Sequence, residues 1–231
     1  MAATGDIGNV LVTGGASGLG AAVVHAVHEL GGKALVLDKA APSSPEVADF
    51  ESVDLSDTRA AERAVEAIAG RNGGLRAVVT AAGTDACGRL DQVPAADWER
   101  VVMVNLLGTA AVVRAALPLL DGGRVVTIAS TLGIKAVSDA TAYCASKFGV
   151  VGFTRALAAE TAGRVGVTLV IPGGMRTRFF DDREERYRPP DDSRLNPPER
   201  VADAIVFALR QPEGCEIREL VVAHREEGSW P

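Results

Sequence analysis

The chain has 231 residues, of which 47% are hydrophobic and 23% are charged, as in an ordinary globular domain, so collagen-like, coiled-coil and wholly disordered classes are excluded. A net charge of −6 argues against a nucleic-acid or anionic-membrane partner, because binding phosphate requires a basic face. Three scattered cysteines form no disulfide or metal-ligand pattern, so we expect reduced thiols, a cytoplasmic location and no metal site.

Short apolar runs alternate with longer amphipathic stretches along the chain. The apolar runs predict strands at residues 9–13, 33–37, 50–53, 75–80, 124–129, 166–171 and 220–223. The amphipathic stretches predict helices at residues 18–30, 58–68, 97–120, 141–161 and 198–209. Fully apolar strands alternating with helices predict an α/β fold, with a doubly wound, mostly parallel sheet of about seven strands and helices on both faces. Such a Rossmann-like sheet binds its ligands beyond the carboxyl ends of its strands.

Two segments interrupt this alternation. Residues 40–49 are rich in turn formers and predict a surface loop. Residues 176–198 are rich in arginines, acids and prolines and follow the sixth strand on the ligand side. We interpret them as a substrate lid on a single nucleotide-binding domain spanning residues 1–231; the alternative is a plain surface excursion. Phe179 and Phe180 then form an apolar pocket wall or anchor the lid.

The sequence contains no pattern typical of secretion or membrane insertion. The N-terminus lacks a basic segment followed by an apolar one, so no signal peptide is expected. No apolar run approaches the ~20 residues that cross a bilayer. We therefore expect no membrane partner.

A glycine-rich turn follows the first predicted strand. Residues 13–20 read TGGASGLG and place Gly14, Gly18 and Gly20 between that strand and the first helix. Glycines permit a close approach of the backbone to a ligand, and a helix N-terminus presents free N–H groups to a phosphate. The spacing is neither GxGxxG nor the P-loop pattern. Its position at the first strand-to-helix turn predicts a dinucleotide pyrophosphate site.

An acid at the end of the second strand bears on the choice of cofactor. Asp38 lies 18 residues after Gly20, close to the offset of about 20 residues for a carboxylate that binds the adenosine ribose. Such a carboxylate repels a 2′-phosphate, so NAD is predicted rather than NADP. Lys39 is the one feature that favours NADP, and the alternative for Asp38 is that it merely caps a loop.

Tyr143 and Lys147 lie four residues apart in a predicted helix and therefore share one face. A nearby cation favours the phenolate, so Tyr143 is a candidate proton donor and acceptor. Ser130 follows the fifth strand at the ligand edge of the sheet. Asn105 lies within a long predicted helix, where its side chain competes with the backbone and predicts a local break that holds a water.

In their order and spacing these features resemble the short-chain dehydrogenase/reductase family, in its single-domain branch. The match includes TGGASGLG at residues 13–20, Asp38, VDL at residues 53–55, AAG at residues 81–83, Asn105, Ser130, the Tyr143/Lys147 pair, and Pro172-Gly173 followed by Thr177. The resemblance implies an NAD(P)-dependent oxidoreductase that transfers a hydride between the nicotinamide and a secondary alcohol or ketone.

The resemblance also implies a role for each matching residue. Tyr143 would exchange a proton with the substrate oxygen, and Ser130 would orient that oxygen. Lys147 would bind the nicotinamide ribose and lower the pKa of Tyr143, and Asn105 would hold a water of the proton relay. The implied cofactor-binding residues are Gly14, Ala16, Ser17, Gly18, Leu19, Gly20, Asp38, Asp54, Leu55, Ala81, Ala82, Gly83, Tyr143, Lys147, Pro172, Gly173 and Thr177. The expected substrate-binding residues are Ser130, Leu132, Tyr143, Met175 and Phe179.

The substrate and the assembly stay open at this stage. The glycine turn and Asp38 are similar to those of NAD-dependent 3-hydroxyacyl-CoA and hydroxysteroid dehydrogenases within the family. This local similarity implies a 3-hydroxyacyl-CoA or a hydroxysteroid as the substrate. The alternatives are an NADPH-dependent 3-oxoacyl carrier-protein reductase and a non-catalytic dinucleotide-sensing protein. Arg176, where the family more often has an apolar residue, reaches a ligand or faces solvent. The resemblance implies a homodimer or homotetramer formed through residues 97–120 and 141–161.

Overall fold

Seven parallel strands form one twisted sheet in the order β3-β2-β1-β4-β5-β6-β7. The computed structural model describes residues 7–120, 122–189 and 191–230, so residues 1–6, to which the signal-peptide expectation largely refers, lie outside the described residues. The chain reverses its direction of progress across the sheet between β1 and β4, and ligands bind at such a switch point. The strands are β1 Asn9–Thr13, β2 Lys33–Asp38, β3 Val47–Ser52, β4 Ala77–Thr80, β5 Arg124–Ile128, β6 Gly166–Pro172 and β7 Glu219–Val222.

Helices cover both faces of the sheet, as the sequence predicts. They are α1 Gly18–Glu29, α2 Thr58–Asn72, α3 Ala95–Val102, α4 Thr109–Ala116, α5 Thr141–Glu160 and α6 Pro198–Leu209. Successive side chains of a strand point to opposite faces. In β1, Val10 and Val12 therefore pack with α1 and α6, whereas Leu11 packs with α2 and α4. The predicted doubly wound α/β fold is confirmed.

The long helix predicted at residues 97–120 is not uniform. A π-helical turn, Met103–Gly108, separates α3 from α4 and contains Asn105, so the predicted local break is confirmed. The continuous helical stretch Ala95–Leu119 has 25 residues, and an 18-residue window within it has a mean hydropathy of 1.7, so by length and composition alone it could cross a membrane. The sequence expectation concerned unbroken apolar runs, and this stretch is interrupted by Arg100, Asn105 and Arg114. In the fold this stretch packs against α2, α5 and β4 as a core helix does, with half of its apolar window buried.

The third strand is longer than the sequence predicts. β3 begins at Val47, inside the segment 40–49 that was predicted as a loop, so that part of the loop prediction was wrong. As the edge strand of the sheet, β3 is only partly buried, and its sequence VADFES contains no continuous apolar run. A pattern based on apolar runs consequently detects only its last residues.

Two segments pass over the carboxyl edge of the sheet. The segment between β6 and α6 forms three short 3-10 turns, Arg178–Phe180, Glu185–Tyr187 and Asp192–Arg194. We call residues 176–189 and 191–198 the lid segment. After β7, residues 223–230 return to the same edge, where Lys135 Nζ donates to the carbonyl oxygen of Gly228 at 3.1 Å. We call residues 223–230 the tail.

Candidate active site

A cleft of about 1280 Å³ runs along the carboxyl edge of the sheet, from the glycine turn to the lid segment and the tail. Its volume exceeds the ~300–1000 Å³ typical of sites for one small molecule, as a site for a dinucleotide and a substrate requires. Every site residue named from the sequence lines it except Ala16, Gly20 and Asn105. Those three support the cleft from behind.

The glycine turn packs so closely that side chains would not fit. Gly14 has φ +72°, and a Cβ atom there would lie 2.8 Å from Ala82 Cα. A Cβ atom on Gly20 would lie 2.1 Å from the Gly14 carbonyl oxygen, which explains why Gly20 supports the turn without lining the cleft. The turn therefore approaches the end of β4 directly.

The first turn of α1 leaves its backbone N–H groups open to a ligand. Ser17 occupies the N-cap position, but its side chain accepts no hydrogen bond from the helix, and no acid lies in the first turn. The positive end of the helix dipole and these free donors favour a bound anion. The donor set thus fits the pyrophosphate of a dinucleotide.

Two carboxylates line the adenosine end of the cleft. Asp38, at the end of β2, accepts hydrogen bonds from the backbone N–H groups of Ala16 and Ala40, both at 3.0 Å. Asp54 accepts from the Ser56 backbone at 2.9 Å and from Arg100 Nη2 at 3.0 Å. The hydrogen bonds from Ser56 and Arg100 outweigh partial burial and lower the pKa of Asp54 to about 2. Asp38 both holds the glycine turn and presents its charge at the cleft.

The Tyr143 ring lies at the other end of the cleft, between Lys147 and the lid segment. Lys147 Nζ is 5.7 Å from the ring centroid, and Ser130 lines the cleft beside the tyrosine. Burial raises the pKa of Tyr143 to about 12, although the neighbouring Ser130 side chain acts in the opposite direction. The sequence predicted that Lys147 lowers the pKa of Tyr143. In the structure the effect of burial is larger, and the pKa of Tyr143 is raised. Tyr143 is protonated near neutral pH.

Lys147 is a buried cation. Its side chain is 4% exposed, and its ammonium donates to the Ile128 carbonyl oxygen at 2.9 Å. Burial lowers the pKa of Lys147 to about 8, while the charge of Asp85 acts in the opposite direction.

Asn105 lies behind this group, in the π-helical turn. Its Oδ1 accepts from the Thr84 N–H at 2.8 Å, and its Nδ2 donates to the Thr84 carbonyl at 2.9 Å and to Ser146 Oγ at 3.0 Å. A Cβ atom on Gly83 would lie 3.6 Å from Asn105 Oδ1 and 3.7 Å from Lys147 Nζ. Asn105 thus anchors the loop after β4 beside the lysine.

The lid segment contributes the apolar wall of the cleft. The Phe179 ring lies 5.7 Å from the Tyr143 ring, and Met175 pairs with Asn196 across the base of the lid segment. Thr177 Oγ1 accepts from the Phe179 N–H at 3.3 Å. Arg176 is exposed and does not line the cleft, which agrees with its solvent-facing alternative.

The cleft residues that sequence reasoning missed include four polar side chains: Asp85, Arg183, Glu227 and Ser229. Glu227 Oε2 accepts from the Gly174 N–H at 2.8 Å, and Ser229 Oγ lies 2.5 Å from Thr131 Oγ1. The tail therefore adds side chains to the cleft beside Pro172 and Gly173. The sequence offered two signals for these residues: Asp85 follows the AAG segment by two residues, and Arg183 lies within the predicted lid.

The fold and this site agree with the comparisons with known proteins. Residues 8–188 match the short chain dehydrogenase family, to which the chain belongs. It is therefore an NAD(P)-dependent dehydrogenase or reductase.

Individual relatives cover almost the whole chain. It is 29% identical to an uncharacterized oxidoreductase of Staphylococcus aureus, over 92% of this chain and 95% of that protein. It is 33% identical to glycine betaine reductase of Emericella nidulans, over 94% of this chain but 19% of that longer protein. A short chain dehydrogenase from Burkholderia cenocepacia, solved in complex with NADP, is 25% identical with a TM-score of 0.83, and the match covers 95% of this chain and 97% of that one.

Proposed function

We propose that this protein is an NAD(H)-dependent dehydrogenase that interconverts a secondary alcohol and its ketone, with Tyr143 as the general acid and base. The observation that supports this is one shared cleft: Tyr143, Ser130 and Lys147 line its inner end, and the uncapped first turn of α1 lines the other. A bound nicotinamide supplies or accepts the hydride there, and the protein supplies position and proton transfer.

The chain's own residues carry the proton. In the reductive direction Tyr143, held protonated by its burial, donates its phenolic proton to the substrate oxygen, which the Ser130 hydroxyl orients. Lys147 binds the ribose hydroxyls through its ammonium. Asn105, fixed by its three hydrogen bonds, holds a water that connects Lys147 to solvent.

NAD is the proposed cofactor. Both oxygens of the Asp38 carboxylate accept backbone hydrogen bonds, which fix its negative charge where a 2′-phosphate would lie. Lys39 at the cleft and the NADP bound to the Burkholderia cenocepacia relative favour the alternative. Fluorescence titration with NADH and NADPH tests the choice: we expect tighter NADH binding, and Asp38→Asn to narrow the difference. Tighter NADPH binding by the parent would overturn this proposal.

Turnover tests the activity itself. The panel contains simple secondary alcohols and ketones, hydroxysteroids and 3-hydroxyacyl-CoA. Tyr143→Phe should lower kcat by about 10²–10⁴-fold, the usual contribution of a positioned general acid. Ser52→Ala, which removes an exposed hydroxyl of β3 outside the cleft, is the control, with unchanged turnover. A parent that binds NADH tightly but turns over no member of the panel would support a dinucleotide sensor instead.

We also propose a single domain with residues 176–198 as its substrate lid, a cytoplasmic location and a homodimer or homotetramer. Leu107 and Phe148, on the π-helical turn and the neighbouring α5, are 43% and 44% exposed, and a second copy would cover them. Light scattering of the purified chain measures the subunit number, and a monomer would contradict the assembly.

A further inference from the structure

A buried ion pair connects the lid segment to the loop after β4. Arg183 Nη2 donates to Asp85 Oδ2 at 2.6 Å, and the two side chains are only 17% and 7% exposed. Among the ion pairs of the described residues, only this one has both side chains less than one fifth exposed. The pair lies in the wall of the cleft, whereas surface ion pairs contribute little to structure.

The same arginine is stacked on the aromatic wall. Its guanidinium carbon lies 5.1 Å from the Phe179 ring centroid and 4.6 Å from that of Phe180. The Phe179 ring lies 5.7 Å from the Tyr143 ring at an interplanar angle of 55°. A continuous series of contacts therefore extends from Arg183 through Phe179 to Tyr143, and Asp85 pairs with the arginine at its outer end.

The pair also forms part of the electrostatic environment of the tyrosine. The charged and titratable groups facing Tyr143 are Asp85 after β4, Arg183 of the lid segment, and Lys147 and Cys144 of α5, with the neutral Ser130 hydroxyl after β5. The charge of Asp85 raises the pKa of Tyr143, and that of Arg183 lowers it. Cys87, whose Sγ donates to Asp85 Oδ2 at 3.2 Å, is neutral because burial raises the pKa of its thiol to about 12. Two opposite charges at hydrogen-bond distance largely cancel at the tyrosine as long as both are present.

One donor of Arg183 is unused. Its Nε is buried and has no hydrogen-bond partner among the described residues. A buried donor without a partner raises the free energy of the closed arrangement. The contact between the lid segment and Asp85 thus has a defined geometry but leaves one buried donor of Arg183 without a partner in the described part of the chain. Such a contact is easier to open than a fully hydrogen-bonded one.

We propose that Arg183 and Asp85 are positioning residues, whose ion pair closes the lid segment over the substrate, seats Phe179 against Tyr143 and balances charge at the tyrosine. This rests on the proposed function, in which Tyr143 transfers the proton. Opening the lid segment withdraws Arg183 and leaves Asp85 unpaired beside Tyr143. Proton transfer is therefore supported only when the lid segment is closed over a substrate.

Hydrogen exchange tests the closure without any turnover. Amide exchange in residues 178–189 should accelerate about tenfold or more in Arg183→Met and in Asp85→Asn, because each variant breaks a buried pair. Arg194→Met is the matched control: this arginine of the lid segment pairs with Glu226 at 3.5 Å and is 63% exposed. Its exchange should stay at the parental rate. Equal exchange in all four proteins would overturn the closure.

Kinetics and phenolate absorbance then test the effect on Tyr143. Arg183→Met should raise the substrate KM and raise the pKa of Tyr143, whereas Asp85→Asn should lower that pKa. The phenolate absorbance of Tyr143, followed in a Tyr187→Phe background, reports the pKa in each variant. The double variant should restore the parental pKa of Tyr143 but retain the raised KM. Shifts of equal sign, or none, would overturn the charge balance, since a merely structural role lowers activity without opposite shifts. NADH titration of each variant verifies the fold, and a parent without turnover would contradict the proposed function while leaving the exchange result intact.

Discussion

The Lys147 ammonium donates a 2.9 Å hydrogen bond to the Ile128 carbonyl, where β5 ends beside α5. Because the side chain is only 4% exposed, burial lowers the pKa of Lys147 from 10.5 to about 8. A depression of this size corresponds to roughly 3 kcal/mol of free energy of unfolding. The site therefore carries a cation that destabilises the fold at neutral pH.

Replacing Lys147 should make the protein more stable and inactive. An unfolded lysine keeps its proton up to about pH 10.5, whereas folded Lys147 loses it near pH 8. The buried charge therefore destabilises the fold fully below pH 8, and this destabilisation decreases between pH 8 and pH 10.5. Lys147→Met should raise the free energy of unfolding at pH 7 by roughly 2 kcal/mol, because losing the hydrogen bond to Ile128 offsets about 1 kcal/mol of the relieved burial penalty. Denaturant unfolding at pH 7 and pH 10 measures the gain, which should nearly vanish at pH 10. Exposed Lys33→Met is the control, and equal losses at both pH values in Lys147→Met would refute the prediction.

Two N-cap residues should respond differently to alanine. The Asp57 side chain accepts from the N–H groups of Arg59 and Ala60 at the start of α2, whereas Ser17 at α1 makes no such bond. Asp57→Ala should cost about 1 kcal/mol of unfolding free energy without changing NADH binding. Ser17→Ala should leave stability nearly unchanged but weaken NADH binding severalfold. Thermal melts of both variants measure the change in stability, and NADH titrations measure the change in affinity. A destabilised Ser17→Ala would show that the Ser17 hydroxyl caps α1 after all.

Alanine substitutions at Gly14 and Gly31 distinguish the cost of backbone strain from the cost of close packing. Gly14 and Gly31 have φ of +72° and +75°, but only a Cβ atom on Gly14 would meet a neighbour, Ala82 Cα at 2.8 Å. Gly31→Ala should cost about 1 kcal/mol, the left-handed strain alone. Gly14→Ala should cost about 2–4 kcal/mol and abolish NADH binding, because the overlap adds to the strain. Similar melting temperatures for the two variants would contradict this account of the turn.

The tail should depend on the charge of Glu227. Burial opposes ionisation of this carboxyl, but hydrogen bonds from Ser229 and Gly174 outweigh it and hold the pKa of Glu227 below its usual value. A lowered carboxyl pKa stabilises the fold above the unfolded-state value and loses this effect as pH falls. Glu227→Gln should therefore lower the melting temperature at pH 7, with a difference that shrinks below about pH 4.5. Exposed Glu226→Gln is the control, and a pH-independent difference would point to shape rather than charge.

The parts of the fold that follow local patterns were predictable. The apolar runs that become β1, β2 and β5 are buried on both faces, so their composition alone identifies them. β3 was found only at its end, because an edge strand needs no apolar face to pair with its neighbour. Asn105 revealed the π-helical turn, since a polar side chain amid apolar helix residues must bond to something other than its own helix.

The rest of the site depends on tertiary contacts that no local pattern contains. Arg183 and Asp85 are 98 residues apart in sequence, and Glu227 and Gly174 are 53 apart. The lid segment offers many arginines, and only the fold selects the one that reaches the cleft. The pKa of Tyr143 was expected to fall because its distance from Lys147 along the helix was known, whereas the burial that raises it is a property of the assembled site.

The π-helical turn also gives the chain a particular sensitivity to length. A π turn accommodates one residue more than an α-helix does, and Leu107 within it is exposed. Deleting Leu107 would therefore allow α3 and α4 to merge into one regular helix, while the Asn105 amide would lose its alignment with Thr84 and Ser146. The variant lacking Leu107 would have a more regular helix but a misplaced Asn105, and it would be a poorer catalyst. Within this helix, deleting one residue therefore disturbs the site more than most substitutions do.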